Sequence, residues 1–283
     1  AGLLANTVEA YPKPDLMLVK RDGAYRPIST REFGESVRNF ALGLRALGFE
    51  AGQKLCLLSE NRPEWSMTDF ATLTAGGLTV PIYTTLVPDQ VRYIVDDSDA
   101  AIVVVSNADQ WKKIEPLRAG LTKVRHYITF AETAPAGVLT LREVQEKGAA
   151  LEAREPGLFE AMVARVQPGD EATLIYTSGT TGVPKGVILT HDNLVSNIKA
   201  AASLVEFTDK DTALSFLPLS HVLERMVMFT YVSKGSTVAY AESVEAVAKN
   251  LLEVRPHIMV SVPRVFEKIY TKVMDQVLAS PAL

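Results

Sequence analysis

Short strand-like runs at 54–58, 78–82 and 101–105 alternate with segments of helical period, and this alternation narrows the fold most. Ser29 and Glu32 have the spacing of a capping box. Phe33, Val37, Phe40, Leu44 and Leu47 then recur at helical intervals, and Gly48 stops the helix. Pro63 opens a second helix that runs to about Ala75, and a third is predicted from Pro88 to Val95. Ala101–Val105 is small and β-branched, as an interior strand requires, and Val124–Phe130 is another strand. Strand, helix, strand in this order predicts an α/β fold, with mostly parallel sheets and helices on both faces.

The alternation pauses at residues 131–140, read as a loop, and helical material fills 141–165. Gln167-Pro168-Gly169-Asp170 is a turn, and it is the expected boundary between a first α/β lobe, 1–166, and a second, 167–283. In the second lobe, helices are expected at Asn193–Val205, Val222–Val232, Val244–Val254 and Arg264–Leu278. Strands are expected at Ala213–Leu217, Ser236–Tyr240 and Ile258–Val262. A chain of 283 residues, 47% hydrophobic and 22% charged, can bury one large core or two medium ones. A net charge of −4 gives no footprint for nucleic acid. Cys56, the single cysteine, lies in an apolar run and reads as an inert core thiol. Residues 1–20 lack the pattern of a signal peptide, and the uncharged stretch Phe70–Val87 is broken by Gly76, Gly77 and Pro81. A cytoplasmic protein is expected.

The chemistry concentrates in one loop, Thr177-Ser178-Gly179-Thr180-Thr181-Gly182-Val183-Pro184-Lys185-Gly186, set between the strand-like runs Ala172–Tyr176 and Val187–Leu189. Glycines let a backbone turn sharply and approach a ligand closely. Successive N–H groups in such a turn form a concavity for anions. Hydroxyls add donors and Lys185 adds a mobile positive charge, which together suit a polyphosphate such as ATP. The Gly-x-x-x-x-Gly-Lys-Ser/Thr phosphate loop is a different pattern, because here the glycine follows the lysine and a strand comes next.

Two further strings end a strand and open a helix, the position where open α/β sheets place ligands. In Phe216-Leu217-Pro218-Leu219-Ser220-His221-Val222-Leu223-Glu224-Arg225, the spacing of His221, Glu224 and Arg225 would put them on one helix face. Val260-Ser261-Val262-Pro263-Arg264 offers the Arg264 guanidinium in the same way. His126, His191 and His257 have no partner pattern and read as structural, with Thr190 or Asp192 capping a helix. Trp65 and Trp111 read as packing residues, and Asp96, Asp97 and Asp99 as a solvated helix end.

The ten-residue loop resembles the phosphate loop of the acyl-adenylate-forming (AMP-binding) enzymes. With the Leu-Pro-Leu-Ser-His and Val-Pro-Arg strings in the same order, the whole chain is similar to the N-terminal part of a long-chain fatty acyl-CoA synthetase. Some relatives carry an aromatic gate residue where this chain has Arg225. The resemblance implies an acetyl-CoA synthetase-like N-terminal domain. It implies that a fatty carboxylate attacks the α-phosphorus of Mg-ATP, releasing pyrophosphate. Coenzyme A then displaces AMP to give acyl-CoA. It assigns Ser178, Gly179, Thr180, Thr181 and Gly182 to the phosphates, Thr177 to phosphate or Mg2+, and Lys185 to the pyrophosphate leaving group. His221 would position the adenylate or the carboxylate, with Glu224, Arg225 and Arg264 around the substrate pocket. Family members continue with a Tyr-Gly-x-Thr-Glu string, a Thr-Gly-Asp and a C-terminal domain with a catalytic lysine, none of which occurs here. The chain begins with Ala1, and an N-terminal fragment without turnover of its own is expected. Adenylation of another class of carboxylic acid, or nucleotide binding alone, are the competing readings. The partners implied are fatty acid, ATP and CoA, compatible with transient contact with a membrane surface and with a homodimer.

Overall fold

The computed structural model describes residues 2–177 and 184–279. The chain opens with α1 (Gly2–Ala10), the hairpin β1 (Met17–Arg21) and β2 (Ala24–Ile28), and α2 (Thr30–Ala46). Alternation follows: β3 (Lys54–Leu58), α3 (Pro63–Thr74), β4 (Leu78–Ile82), α4 (Pro88–Asp97), β5 (Ile102–Val105), α5 (Ala108–Ile114) and β6 (His126–Thr129). Next come β7 (Leu139–Thr140), α6 (Leu141–Arg154), α7 (Leu158–Arg165), β8 (Glu171–Thr177) and β9 (Lys185–Thr190). The remainder is α8 (His191–Leu204), β10 (Thr212–Ser215), α9 (Val222–Ser233), β11 (Thr237–Tyr240), α10 (Val247–Val254) and α11 (Pro263–Ala279).

Successive side chains of a strand point to opposite faces, and in the interior strands of the larger sheet, such as β3, β4 and β5, both faces are buried. Its seven strands run in the order β7-β6-β5-β3-β4-β8-β9. All neighbours are parallel except β8 and β9. Leu55, Leu57, Ile102, Val104 and Ala172 face a core shared with α2, α3, α6 and α9. Cys56, Leu58, Val103, Val105, Leu174 and Tyr176 face the opposite core, closed by α4 and α5. Cys56 is fully buried, and burial pushes its thiol up to about 12, so it is inert at neutral pH.

The expected capping box is present: the Ser29 hydroxyl accepts from Glu32 N, and the Glu32 carboxylate accepts from Ser29 N at 2.8 Å. Gly48 ends that helix at φ +76°. On the sheet, α2 and α6 cross so closely that a Cβ on Gly148 would lie 1.8 Å from Asn39 O. Helix α3 is buried on nearly its whole circumference, including Ser66, Thr68, Asp69 and Thr72. It lies between the two sheets, with the Phe70 ring 5.0 Å from that of Phe229 on α9.

The smaller sheet runs β10-β11-β1-β2. β1 lies parallel to β11, residues more than two hundred positions apart, and antiparallel to β2 through the turn Asp22-Gly23. Both turn residues have positive φ, 50° and 78°. An Asp-Gly pair at such a turn is a strong hairpin signal, and with it the N-terminal hairpin could have been read from sequence. Each sheet draws strands from both sides of residue 166: β1 and β2 join β10 and β11, while β8 and β9 join β3 and β4. The boundary between lobes expected at 166/167 therefore does not coincide with the division between sheets.

One predicted strand is not formed. Residues 258–262 contribute a single parallel bridge, Ala213 with Ile258. Its contact with β10 is at its start, where Ile258 N donates to Thr212 O at 3.3 Å and Ile258 O accepts from Leu214 N at 3.2 Å.

Candidate functional site

β8 runs out of the buried sheet and ends at Thr177, and β9 returns from Lys185. Thr177 and Lys185 are paired across the hairpin, and both are exposed. The candidate phosphate contacts Ser178, Gly179, Thr180, Thr181 and Gly182 lie outside the described residues. The base of their loop is anchored on α4. The Tyr93 hydroxyl donates to Pro184 O at 3.0 Å, and the Tyr176 hydroxyl donates to Asp97 Oδ2 at 2.6 Å. The two rings meet edge to face at 6.2 Å. Burial, and then the Asp97 carboxylate, push the Tyr176 phenol far above its ordinary range, which keeps it a proton donor. Asp97 is thus part of this anchor, while Asp96 pairs with Arg92 and Asp99 with Lys123.

The second string leaves β10 at Ser215 and opens α9. Residue His221 is the N-cap of that helix, with φ −90° and ψ 135°. Its Nδ1 accepts from Leu223 N at 3.2 Å, which leaves the proton of the neutral ring on Nε2. The expected shared face of His221, Glu224 and Arg225 does not form. An N-cap residue lies outside the helical dihedrals on which that spacing rule rests. The His221 side chain is exposed, whereas Glu224 and Arg225 are 2% and 0% exposed.

Arg225 is turned into the protein. Its Nε and Nη2 donate to the two oxygens of Asp69 at 2.7 and 2.6 Å, and its Nη1 donates to Thr173 Oγ1 at 2.6 Å. Thr173 in turn donates to Thr79 O at 2.6 Å. A planar guanidinium matched to a carboxylate in this bidentate way is among the stronger polar contacts a protein makes. Helices α9 and α3 are thereby tied to β8, four residues before Thr177. Asp69 was not singled out from sequence, because its role depends on a partner 156 residues away. Glu224 accepts from Ser215 Oγ at 2.6 Å and from the Phe216 backbone, yet burial dominates and pushes its carboxyl up to about 7.

The remaining candidates are placed as follows. Arg264 is the second residue of α11 and is exposed. His191 is nearly buried at the start of α8, with Thr190 as its cap, and burial lowers its imidazole to about 4. His126 Nε2 lies 3.1 Å from Leu47 O, and His257 Nδ1 accepts from Thr212 N at 3.0 Å. Trp65 and Trp111 are buried. Among the described residues no group of three or more His, Cys, Asp or Glu side chains is placed to hold a metal. No helix of the described residues is long and apolar enough to cross a membrane.

Residues 4–282 match the family model described as AMP-binding enzyme. The chain belongs to this family. The chain is 36% identical over 261 residues to the long-chain-fatty-acid–CoA ligase FadD15 of Mycobacterium bovis, covering 91% of this chain and 42% of that one. It is 30% identical to the long-chain-fatty-acid–CoA ligase ACSBG1 of Bos taurus, over 96% of this chain and 39% of the relative. The chain thus spans about two-fifths of the length of these relatives. Among solved structures, the N-terminal domain of FACL13 from Mycobacterium tuberculosis superposes with a TM-score of 0.79 at 23% identity, covering 94% of this chain and 63% of that chain. The anthranilate CoA ligase AuaEII in complex with anthranoyl-AMP gives 0.81 at 21% identity, covering 93% and 49%. These likenesses establish the shared α/β fold.

Proposed function

We propose that this chain contributes the phosphate-handling N-terminal part of a long-chain fatty acid–CoA ligase. The observation that carries the reading is the hairpin base. Thr177 and Lys185 face each other at the exposed end of a strand whose middle, residues 172–176, is buried, and the string between them is rich in glycine and hydroxyls. Identity of 36% to a long-chain-fatty-acid–CoA ligase supports the choice of acid.

In the proposed reaction a fatty carboxylate attacks the α-phosphorus of Mg-ATP, and the acyl-adenylate then passes its acyl group to the thiol of CoA. Charge accumulates on phosphate oxygens, so preorganised donors and a cation are the catalysts required. Ser178, Gly179, Thr180, Thr181 and Gly182 would cradle the phosphates, and Lys185 would offset the charge of the departing pyrophosphate. Magnesium enters as part of the Mg-ATP substrate, with Thr177 as one neutral oxygen available to it. His221 would orient the carboxylate or the adenylate through its Nε2–H. Glu224 and Arg225 would serve the pocket from behind, through the buried contacts that hold α9, and Arg264 from the rim. Transient contact with a membrane surface, where fatty acids partition, is part of the proposal, as is a homodimer. So is the inability of these 283 residues alone to complete the cycle.

Fatty-acid-dependent ATP–pyrophosphate exchange tests the reading. It should be measured on this chain and, in parallel, on the chain extended to the length of its relatives. Palmitate-dependent exchange in the extended chain alone is the expected result. Exchange in the 283-residue chain as well would mean that it holds a complete adenylation site. No exchange in either, with any acid, would refute the long-chain assignment.

A further inference from the structure

We propose that Asn61, which lies in the other sheet's layer, is a positioning residue for His221. The inference rests on the reading of His221 given above. Asn61 follows β3 by three residues and precedes α3. Arg62, between Asn61 and the Pro63 that starts the helix, is held extended at φ −169° and ψ 160°. The Asn61 side chain therefore projects from a stiff junction at the carboxyl edge of the seven-stranded sheet.

From there it grips the segment that carries His221. Nδ2 donates to Leu217 O at 2.6 Å, and Oδ1 accepts from Leu219 N at 2.9 Å. A longer contact, 3.4 Å, runs from Nδ2 to Ser215 Oγ. One side-chain amide thus takes both backbone groups that flank Pro218. Pro218 itself has no N–H and cannot continue the ladder of β10. Leu219 is 1% exposed, so without Asn61 its N–H would be buried with no partner. His221 is built on the gripped unit, because its own N–H donates to Pro218 O at 2.9 Å. The chain of contacts is short: Asn61 holds residues 217 and 219, and the carbonyl between them holds His221.

The two ends of the segment are secured separately. Ser215 is bonded to Glu224, and Arg225 N donates to His221 O at 3.2 Å. Loss of the Asn61 amide would therefore leave both ends tied and free only the middle. A residue that matters in this way sets where His221 stands more than whether the domain folds. It also couples the carboxyl edge of one sheet to that of the other, since Asn61 reaches 156 residues along the chain to Leu217.

The first test is a double-mutant cycle in the extended chain, reading palmitate-dependent pyrophosphate exchange. Asn61→Asp keeps size and the acceptor for Leu219 N but loses the donor to Leu217 O. It should lower the exchange rate by roughly ten- to a hundredfold, the scale of a misplacement of about 1 Å, and leave the KM for ATP within about threefold. In a His221→Ala background the same change should cost less than about threefold, because residues acting through one another are not additive. Equal losses in both backgrounds would overturn the proposal.

A second test needs no turnover and uses the 283-residue chain. In Asn61→Ala, amide exchange at Leu219 should rise at least about tenfold, with protection of the β3 amides retained. The His221 ring resonances should shift while those of His126 and His257 stay in place. Unchanged Leu219 protection and unchanged His221 signals would overturn the proposal whatever the enzyme assay gives. Absence of exchange activity in the unmutated extended chain would instead sink the functional reading.

Discussion

Replacing Glu224 by glutamine should stabilise the protein at pH 8 and do nothing for it at pH 4.5. Glu224 is 2% exposed, and burial raises its carboxyl from the ordinary 4.5 to about 7. The unfolded chain ionises this group above 4.5, whereas the folded chain keeps it protonated up to about 7. The folded state therefore binds the extra proton across this window, and stability falls as pH rises through it. The interval between 4.5 and about 7, at about 1.36 kcal/mol per pH unit, comes to roughly 3 kcal/mol. Glutamine cannot ionise, and its Oε1 can still accept from Ser215 Oγ. Loss of the charged acceptor returns about 1 kcal/mol of the gain at high pH, so a net stabilisation of about 2 kcal/mol is expected at pH 8. Urea unfolding followed by the fluorescence of the buried Trp65 and Trp111, at half-unit steps from pH 4.5 to 8, would measure it. An effect of Glu224→Gln that is the same at every pH would refute the reasoning. The variant should also uncover His191. Burial lowers that imidazole from 6.5 to about 4, so its contribution is complete above pH 6.5 and is lost as pH falls towards 4. In the parent, the two slopes oppose each other between 4.5 and 6.5; in Glu224→Gln, the acid loss should stand alone.

Other outcomes follow from the same geometry. Lys185→Ala should reduce pyrophosphate exchange by at least about a hundredfold, the loss typical of removing one transition-state charge partner, and leave thermal unfolding unchanged because Lys185 is exposed. Asp69→Ala should cost about 3–5 kcal/mol, since it strands the Arg225 guanidinium in the core; Asp69→Leu with Arg225→Met should recover much of that loss in the same urea titration. Gly148→Ala should destabilise by at least about 1–3 kcal/mol, because the new methyl would meet the Asn39 carbonyl; an unchanged melting temperature would show that α2 and α6 can separate freely. Cys56 should react with a thiol reagent only at the rate of unfolding, given complete burial.

Much of the fold was legible because its signals are local. Lys54–Leu58 and Leu78–Ile82 form strands over the residues read from sequence. They are short, apolar and bounded by turn residues, so no other element fits them. The capping box at Ser29 and Glu32 is legible for the same reason: both partners lie within one turn. The strand expected at 258–262 reduces to one bridge, since an apolar β-branched composition says nothing about whether a neighbour has free backbone groups to offer. β1 pairs with β2 through the Asp22-Gly23 turn, a local signal that the sequence reading passes over; its place beside β11 depends on a strand more than two hundred residues away.

The candidate site divides along the same line. The sequence by itself determined the two strands that flank the Gly- and Thr-rich string, the strand end and helix start around His221, and the family to which these strings belong, because each depends on residues adjacent in the chain. Only the tertiary structure decided that His221 turns outward as a cap while Glu224 and Arg225 turn inward. Helical spacing says which residues share a face, but the buried direction is chosen by what packs against the helix. Here that choice rests on Asp69, Thr173 and Ser215. In the same way, the amide of Asn61 meets the Leu217–Leu219 backbone only once the two sheets have come together around α3, and no pattern within either segment records the meeting.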